Sequence, residues 1–492
     1  MKDVAIAGAG PTGIVAANLC GRYGLSVVAF DREPGVYDLP RAAGMYDDVQ
    51  RLLDNAGLLE PIRPSCRAHV GAEFVDAAGK RLIGIEFAGI ATLNGYPPVL
   101  AIAQPQLEAA WRKCLAESGD VELCVSHDVC EIDEFDDYVE IVVRDRATGG
   151  SRRERARWLI GADGANSFVR KHCGISWDSL GYDREWLVID VERDPSVALP
   201  PFCQQLCDPA RPTTLVPMPG HQYRWEFQLK PGETREEMQD RDRVWELLRP
   251  WLTREQGSVL RAVVYRFHAT IAADFRHGRI FLAGDAAHQT PPFMGQGLCT
   301  GLRDAENLAW KLAAVQGGEA TDALLDTYGE ERHPAAVAMV QHSTNTGKLI
   351  DAYAQMTITG IPPPPELVEY GYGGGKQLPD ISTGLLGSGG SAWIGRRMPQ
   401  CGVRRDGQSG RLDALAGRGW AIVSVGDADA VLGEDGRRAW EALGATFLQI
   451  EDPHAASLLG ERDVAILRPD RIVFSLGTEV SVPAPYLARA AA

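Results

Sequence analysis

The sequence predicts an α/β protein of two or three domains, in which a parallel sheet is interrupted by an antiparallel one. Three observations carry this. The 492 residues exceed what one simple core organises. The opening residues read strand, glycine-rich turn, helix, strand, a βαβ unit that requires a right-handed crossover and parallel strands. The same buried strand, glycine-rich turn and long helix return from Gly278, after short alternating runs between 180 and 265 that read as antiparallel.

Taken in order, Val4-Ala5-Ile6-Ala7 is a short buried strand, Thr12 to Tyr23 a helix of small residues ended by Gly24, and Leu25 to Phe30 the second strand. A second zone, about 100 to 175, carries a helix from Gln104, alternating strands such as Val139-Glu140-Ile141-Val142-Val143, and a strand ending in Gly161-Ala162-Asp163-Gly164. The antiparallel zone holds Trp186-Leu187-Val188-Ile189-Asp190 and Tyr223-Arg224-Trp225-Glu226-Phe227. The long helix after Gly278 runs through Leu312 and on to about 358. Pro362 to Pro365 and Gly373 to Gly375 mark a surface linker. Gly419 to Val425 and Asp463 to Leu467 are core strands of a small α/β module that flank a helix from Gly436 to Leu443. There is no internal repeat of fixed period.

Composition narrows the function. A formal charge of −16 argues against nucleic acid, because phosphate binding needs a basic surface. No stretch approaches the roughly 20 apolar residues that cross a bilayer. The chain opens directly on a strand pattern without an apolar signal segment, so a cytoplasmic protein is expected. The ten cysteines form no Cys-x-x-Cys pair and the ten histidines no His-x-x-x-His pair, so free thiols and no metal site are expected.

Gly8-Ala9-Gly10-Pro11-Thr12-Gly13 is Gly-x-Gly-x-x-Gly between a predicted strand and a predicted helix. Gly8 permits the tight turn, Gly10 lets a pyrophosphate approach the backbone, and Gly13 lets helix and strand pack closely. The helix N-terminus, with Pro11 and Thr12, supplies N–H donors and positive potential. Asp31, eighteen residues after Gly13, ends the second strand where a carboxylate can hold ribose hydroxyls, and Arg32 beside it joins the same cofactor-binding set. The alternative is an ordinary tight βα turn, and the motif alone leaves FAD or NAD open.

Trp158-Leu159-Ile160-Gly161-Ala162-Asp163-Gly164-Ala165-Asn166-Ser167 resembles the Asp-Gly motif of the FAD-dependent aromatic hydroxylases, the group A flavin monooxygenases. Ile280 to His288 resembles their second FAD motif, continued by Pro291-Pro292-Phe293-Met294-Gly295-Gln296-Gly297 and the helix from Gly301 to Leu312. The likeness spans roughly residues 1 to 345. Asp38-Leu39-Pro40-Arg41-Ala42-Ala43-Gly44, Gln104 to Glu108, Cys207 to Pro212 and Pro231-Gly232-Glu233-Thr234 are most similar to the 3-(3-hydroxyphenyl)propionate hydroxylase branch.

The resemblance implies a Rossmann-like FAD-binding domain in three segments (1–75, 101–180 and 269–358). It also implies substrate-domain strands at 76–100, an inserted antiparallel-sheet substrate domain at 181–268, a linker at 359–399, and a thioredoxin-like C-terminal domain at 400–492 without Cys-x-x-Cys. It implies that Asp285 accepts hydrogen bonds from the ribityl chain, and that the turn Gly295, Gln296, Gly297, Leu298, Cys299 presents backbone N–H groups to the flavin pyrimidine oxygen. Cys299 stands where many relatives have Asn, a tolerable departure because the donors are backbone groups. Arg41, Gln104 and Asp163 match family positions near FAD, with ion-pair, helix-cap and turn roles as the alternatives. His288 reads as a packing residue.

The implied activity is an NAD(P)H-consuming monooxygenase. FAD reduced by NADH or NADPH reacts with O2, and a flavin C4a-hydroperoxide hydroxylates a phenolic ring ortho or para to its hydroxyl. The Pro292 carbonyl lies at the reacting edge in this reading. Strand alternation puts Tyr223, Trp225 and Phe227 on one face and Arg224 and Glu226 on the other. The sequence leaves open which face lines the pocket; Tyr223 is the expected phenol partner, with Trp225 and Phe227 as substrate walls or sheet core. The partner is a small phenol, with homo-oligomerisation open. Baeyer–Villiger or polyketide-type flavin oxygenation and a non-catalytic flavin-fold binding protein are the competing readings.

Overall fold

The computed structural model describes residues 1–37, 41–371, 379–387, 391–459, 464–477 and 481–486. Asp38, Leu39, Pro40, Gly373 to Gly375 and Asp463 lie outside the described residues. The fold is mixed α/β, with three large sheets.

The first sheet has the path Arg276–His277, Ile280–Leu282, Ser151–Gly161, Lys2–Ala7, Val27–Asp31, Val121–Val125. From Ile280–Leu282 to Val121–Val125 every pair is parallel, with Ile6 opposite both Ile160 and Ala29, and Leu159 opposite Ile280. This register decides where function can sit. Lys2–Ala7, Ser151–Gly161 and Ile280–Leu282 are neighbours, so the turns that follow them open on one edge of the sheet, the carboxyl edge where α/β folds bind ligands.

The helix Pro11–Arg22 starts one residue earlier than the sequence pattern suggests, because proline at the first helical position is pre-set in φ and its missing N–H costs no bond. It packs on the helix Gln296–Gln316 with Thr12 as the contact. A Cβ at Gly284 or Gly301 would come within 2.6 and 2.4 Å of the Thr12 hydroxyl, so both glycines are dictated by close approach.

The second sheet runs His288–Gln289, Gly257–Ala272, Trp177–Arg193, Gln222–Gln228, Thr213–Pro217, Cys203–Cys207, Gly71–Asp76, Arg81–Glu86. It is antiparallel except where Cys203–Cys207 meets Gly71–Asp76. The early strands therefore enter at Gly71, ahead of the expected 76, and Val99–Ile102 belongs to a small separate sheet. One face is covered by the helices Arg235–Gln239 and Arg241–Leu248. The first of these opens on a capping box in which Thr234 and Glu237 satisfy each other's backbone N–H.

The third sheet, in the C-terminal module, orders Gln408–Arg411, Gly402–Arg405, Thr446–Ile450, Ala421–Ser424, Val464–Leu467, Val473–Leu476. Its helix Ala428–Ala442 starts well before Gly436 and breaks at Gly433, where φ is +66°. Buried ion pairs tie this module to the rest. Arg51 grips Asp413 through Nε and Nη2 at 2.6 and 2.8 Å, and Glu331 holds both Arg468 and Lys311. Among the described residues no helix is long and apolar enough to cross a membrane, and no cluster of acids, cysteines and histidines could hold a metal.

Candidate functional site

A cavity of about 530 Å³ lies where the carboxyl edge of the first sheet meets one face of the second. Its first wall is Gly10, Pro11, Thr12, Asp285 and Gly295 to Leu298; its second is the sheet face carrying Gln205, Thr214, Arg224, Glu226, Arg261 and Tyr265.

The glycine turn is built as its spacing requires. Gly8 has φ +94°, and a Cβ there would meet the Ala162 carbonyl at 2.3 Å. A Cβ on Gly13 would sit 1.9 Å from the Gly8 carbonyl oxygen. Gly10 has nothing within 4 Å of its missing Cβ and faces the cavity. Gly8 and Gly13 thus shape the turn from behind, and Gly10 offers bare backbone to a ligand.

On the far side, Gln296–Gln316 opens on Gly295 at φ +66° without a side-chain cap. The first N–H groups of a helix have no intrahelical partner, so the backbone of Gln296, Gly297 and Leu298 presents donors and a positive dipole end to the cavity. The preceding loop is held in strain. Met294 has φ +70°, which costs about 1–2 kcal/mol for a residue with a side chain. Three anchors offset this. Tyr46 donates its hydroxyl to the Met294 carbonyl at 2.9 Å, and Ser343 reaches the carbonyls of Pro291 and Phe293 at 2.9 and 2.8 Å. The Phe293 ring packs edge-on against Trp186 and Tyr182. Pro292 lines the cavity, and its carbonyl already accepts from the Gly295 N–H at 3.0 Å.

Asp285 lines the cavity with its side chain half exposed, and Arg41 lies 4.0 Å away. Gln104 fixes Arg41 by accepting from the N–H groups of Arg41 and Ala42 at 3.0 and 2.7 Å. The Arg41 carbonyl accepts from Arg224 Nη1 at 2.8 Å, which joins the two walls. Other sequence-singled residues stand back from the cavity. Asp31 accepts from Arg112 at 2.8 Å, and the same Arg112 nitrogen donates to the Ala9 carbonyl. Arg32 is exposed beside Glu33. Asp163 accepts from Ser167, Phe168 and Val169 and so caps the helix Phe168–His172. Cys299 is fully buried, and burial pushes its thiol up to about 11. His288 is buried against Asp304 at 2.7 Å; Asp304 also accepts from the Gly284 N–H, so His288 buttresses the turn that carries Asp285.

The expectation of Tyr223 as phenol partner is corrected, and of the two readings of Trp225 and Phe227 the structure agrees with sheet core and not with substrate walls. All three are buried in the apolar cluster with Met238, Val244 and Trp245, on the face away from the cavity, and the Tyr223 hydroxyl donates to the Pro200 carbonyl at 3.0 Å. The two covering helices decide this, since they supply the apolar partner for that face. The charged face is the one that lines the cavity. Arg224 Nε donates to Asp190 at 2.7 Å, Arg261 lies 2.6 Å from the same carboxylate, and Glu226 is 3.8 Å from Arg224. Thr214 donates to Gln205 at 2.6 Å, and Arg261 to the Tyr265 hydroxyl at 3.1 Å. Burial is the largest influence on Glu226 and pushes its carboxyl up, against the pull of Arg224. Burial, with Arg67 nearby, brings His69 down to about 4, so this cavity-lining imidazole is neutral near pH 7. Within the cavity wall, His69 Nδ1, Arg261 Nε, Gln296 Nε2 and Thr290 Oγ1 have no hydrogen-bond partner among the described residues. Buried polar atoms without partners mark a site built for a polar ligand.

Sequence reading missed His69, Gln205, Thr214 and Arg261. A signal was present at Asp190 and Glu226, charged residues inside otherwise apolar strands, which are retained only where something polar faces them.

A family model described as FAD binding domain matches residues 1–343, and one described as HcaD C-terminal domain matches 395–458. A probable NADH-specific resorcinol 4-hydroxylase of Rhodococcus jostii (strain RHA1) is 32% identical over 97% of this chain and 92% of its own length. A 3-(3-hydroxy-phenyl)propionate/3-hydroxycinnamic acid hydroxylase of Mycolicibacterium gilvum (strain PYR-GCK) is also 32% identical, over 96% of this chain and 88% of its own. Among solved structures, aklavinone-11 hydroxylase in a ternary complex with FAD and aklavinone superposes with a TM-score of 0.82 at 24% identity, covering 99% of this chain and 98% of that one, a likeness of fold.

Proposed function

The chain belongs to the FAD-binding domain family, and we propose that it is an FAD-dependent, NAD(P)H-consuming monooxygenase that hydroxylates a phenolic ring ortho or para to an existing hydroxyl. The observation that carries this reading is one continuous cavity with two unlike walls: a glycine-and-helix-terminus cradle on one side, and a buried polar sheet face on the other.

The cradle residues fit FAD. Gly10 to Thr12 can bring backbone N–H groups onto the pyrophosphate, and Asp285 can accept from the ribityl hydroxyls. The uncapped helix start at Gln296 to Leu298 can hold negative charge on the flavin ring. Gln104 and Arg41 brace the opposite rim. Asp31 and Asp163 already accept two and three hydrogen bonds, and as carboxylates with about four acceptor positions each keeps room for a cofactor hydroxyl or amide. FAD, if held there and reduced by NADH or NADPH, would activate O2, from which one oxygen atom would be inserted and the other leave as water. The protein's task is to hold the arene against it, accept or share the phenol proton and keep bulk water out. The sheet face of Arg224, Glu226 and Arg261 is the part of the wall that can do so.

In this reading residues 181–268 with the strands from Gly71 to Glu86 form the substrate domain, the segments 1–70, 101–180 and 269–358 the cofactor domain, and 400–492 a thioredoxin-like module with a structural role. The single Cys401 of that module, buried and with its thiol pushed up to about 11, gives no redox pair. The test is a panel of phenols offered to the flavin-loaded protein with NADH and with NADPH. A product heavier by one oxygen, formed with matching nucleotide consumption, supports the reading. A ring-expanded ester or lactone from a ketone, or no consumption with any phenol, refutes it.

A further inference from the structure

We propose that the substrate is an uncharged polyhydroxy arene of the resorcinol type whose ring hydroxyl donates to the Glu226 carboxylate, and that the cavity excludes phenols carrying a carboxylate. This rests on the proposed hydroxylase function and narrows its substrate class.

The argument is one of charge and partners. A buried ligand carboxylate needs a cation that is free to meet it, because an unpaired buried anion is strongly disfavoured. On the substrate wall, Arg224 and Arg261 both lie on Asp190, at 2.7 and 2.6 Å. Arg224 also stands 3.8 Å from Glu226. At the rim, Arg266 closes a two-pronged pair with Asp183 at 2.7 and 2.6 Å. The described side chains on that wall thus contribute three guanidinium groups against Asp190, Glu226 and Asp183, a balance of zero. On the cofactor wall, Arg41 faces Asp285 at 4.0 Å. Among the described residues, a ring acid would add an anion beside Glu226 and could draw only on the unpartnered Nε edge of Arg261, whose charge Asp190 already offsets at 2.6 Å.

Acceptor capacity is what the wall does offer. Glu226 is buried and lines the cavity, and no hydrogen bond to its carboxylate is made among the described residues. It stands across the sheet from Thr214, which is in turn opposite Gln205, so a row of polar side chains crosses the cavity face. Among the described residues, Asp190 is engaged by two arginines and Glu226 by the longer contact alone, which leaves Glu226 as the carboxylate able to take a donor from a ligand. Neutral His69, whose Nδ1 has no partner, gives a second uncharged polar contact of the kind that a second ring hydroxyl would use. A site built to bind two hydroxyls rejects an analogue that lacks one of them far more strongly than an apolar slot does, since binding that analogue leaves a buried polar group unpaired.

The experiment compares resorcinol with 3-(3-hydroxyphenyl)propionate on the flavin-loaded wild type and on Glu226→Gln, with binding followed by calorimetry and turnover by product mass. For the wild type, resorcinol should exceed the arylpropionate in kcat/KM by about a hundredfold or more, with the same order in affinity. Glu226→Gln keeps the side-chain shape, removes one negative charge and leaves the two arginines with Asp190 alone. Resorcinol affinity should then fall at least tenfold while that of the arylpropionate rises, so the ratio moves toward the acid. A wild type that prefers the arylpropionate, or a Glu226→Gln protein with an unchanged ratio, overturns this inference and leaves the hydroxylase reading standing. If neither phenol, nor any other, stimulates nucleotide oxidation, both fall together.

Discussion

The glycine turn offers a pair of substitutions that separates folding from cofactor binding. At Gly13 an added Cβ would lie 1.9 Å from the Gly8 carbonyl oxygen, more than an ångström inside any real contact, and the obstacle is backbone that cannot rotate away. Helix Pro11–Arg22 must then move off the strand Lys2–Ala7. Overpacking of this kind costs about 1–3 kcal/mol, and a rigid backbone partner puts Gly13→Ala at the upper end. At Gly10 an added Cβ has nothing within 4 Å, and the residue's φ of −72° is open to alanine. Gly10→Ala should fold normally, but its methyl projects where a pyrophosphate would lie. The loss of one hydrogen bond to a charged group is worth about 1.5–3 kcal/mol, roughly a 10- to 150-fold weaker affinity for FAD. The assay is thermal unfolding of both apoproteins with titration of flavin fluorescence. The expected pattern is a fall of about 3 °C for apo Gly13→Ala and nearly none for apo Gly10→Ala, with FAD affinity impaired in both. Wild-type stability in Gly13→Ala, or wild-type FAD affinity in Gly10→Ala, would refute the reasoning.

Three further outcomes are expected. Arg51→Met removes the two-pronged partner that helps hold the Asp413 carboxyl well below the usual carboxylate range and leaves it Arg471 at 3.4 Å with the amides of Asn55 and Gln400, so it should destabilise the docked C-terminal module by about 3 kcal/mol, seen as early proteolysis near residue 400. Tyr223→Phe removes only the bond to the Pro200 carbonyl, so it should cost about 1 kcal/mol of stability and leave hydroxylation kinetics intact. His69 is held neutral when folded, at about 4 against about 6.5 unfolded, so the unfolded chain binds the extra proton. Its contribution is complete above about pH 6.5 and is lost as pH falls toward 4, by up to about 3 kcal/mol, a loss that His69→Asn should lack in unfolding curves at pH 7.5 and 4.5.

What the sequence disclosed follows the range of the interactions. The Gly8 to Gly13 turn was legible because its geometry is local: positive φ at Gly8 and helix–strand contact at Gly13 are properties of six consecutive residues. The meeting of three segments at one edge was legible from motif order and parallel strands. The orientation of Gln222–Gln228 was not, since alternation defines two faces equally and only the helices Arg235–Gln239 and Arg241–Leu248 choose between them. Asp163 shows the reverse case. Its neighbours Ser167 to Val169 offer a local cap that a motif does not distinguish from a cofactor contact.

The most direct test of the account is calorimetric titration of the purified, flavin-stripped protein with FAD. One molecule bound per chain, with the yellow spectrum of an enclosed flavin and weaker binding in Asp285→Ala, is the expected result. A protein that stays colourless and takes up no flavin would contradict the cradle on which every functional statement depends.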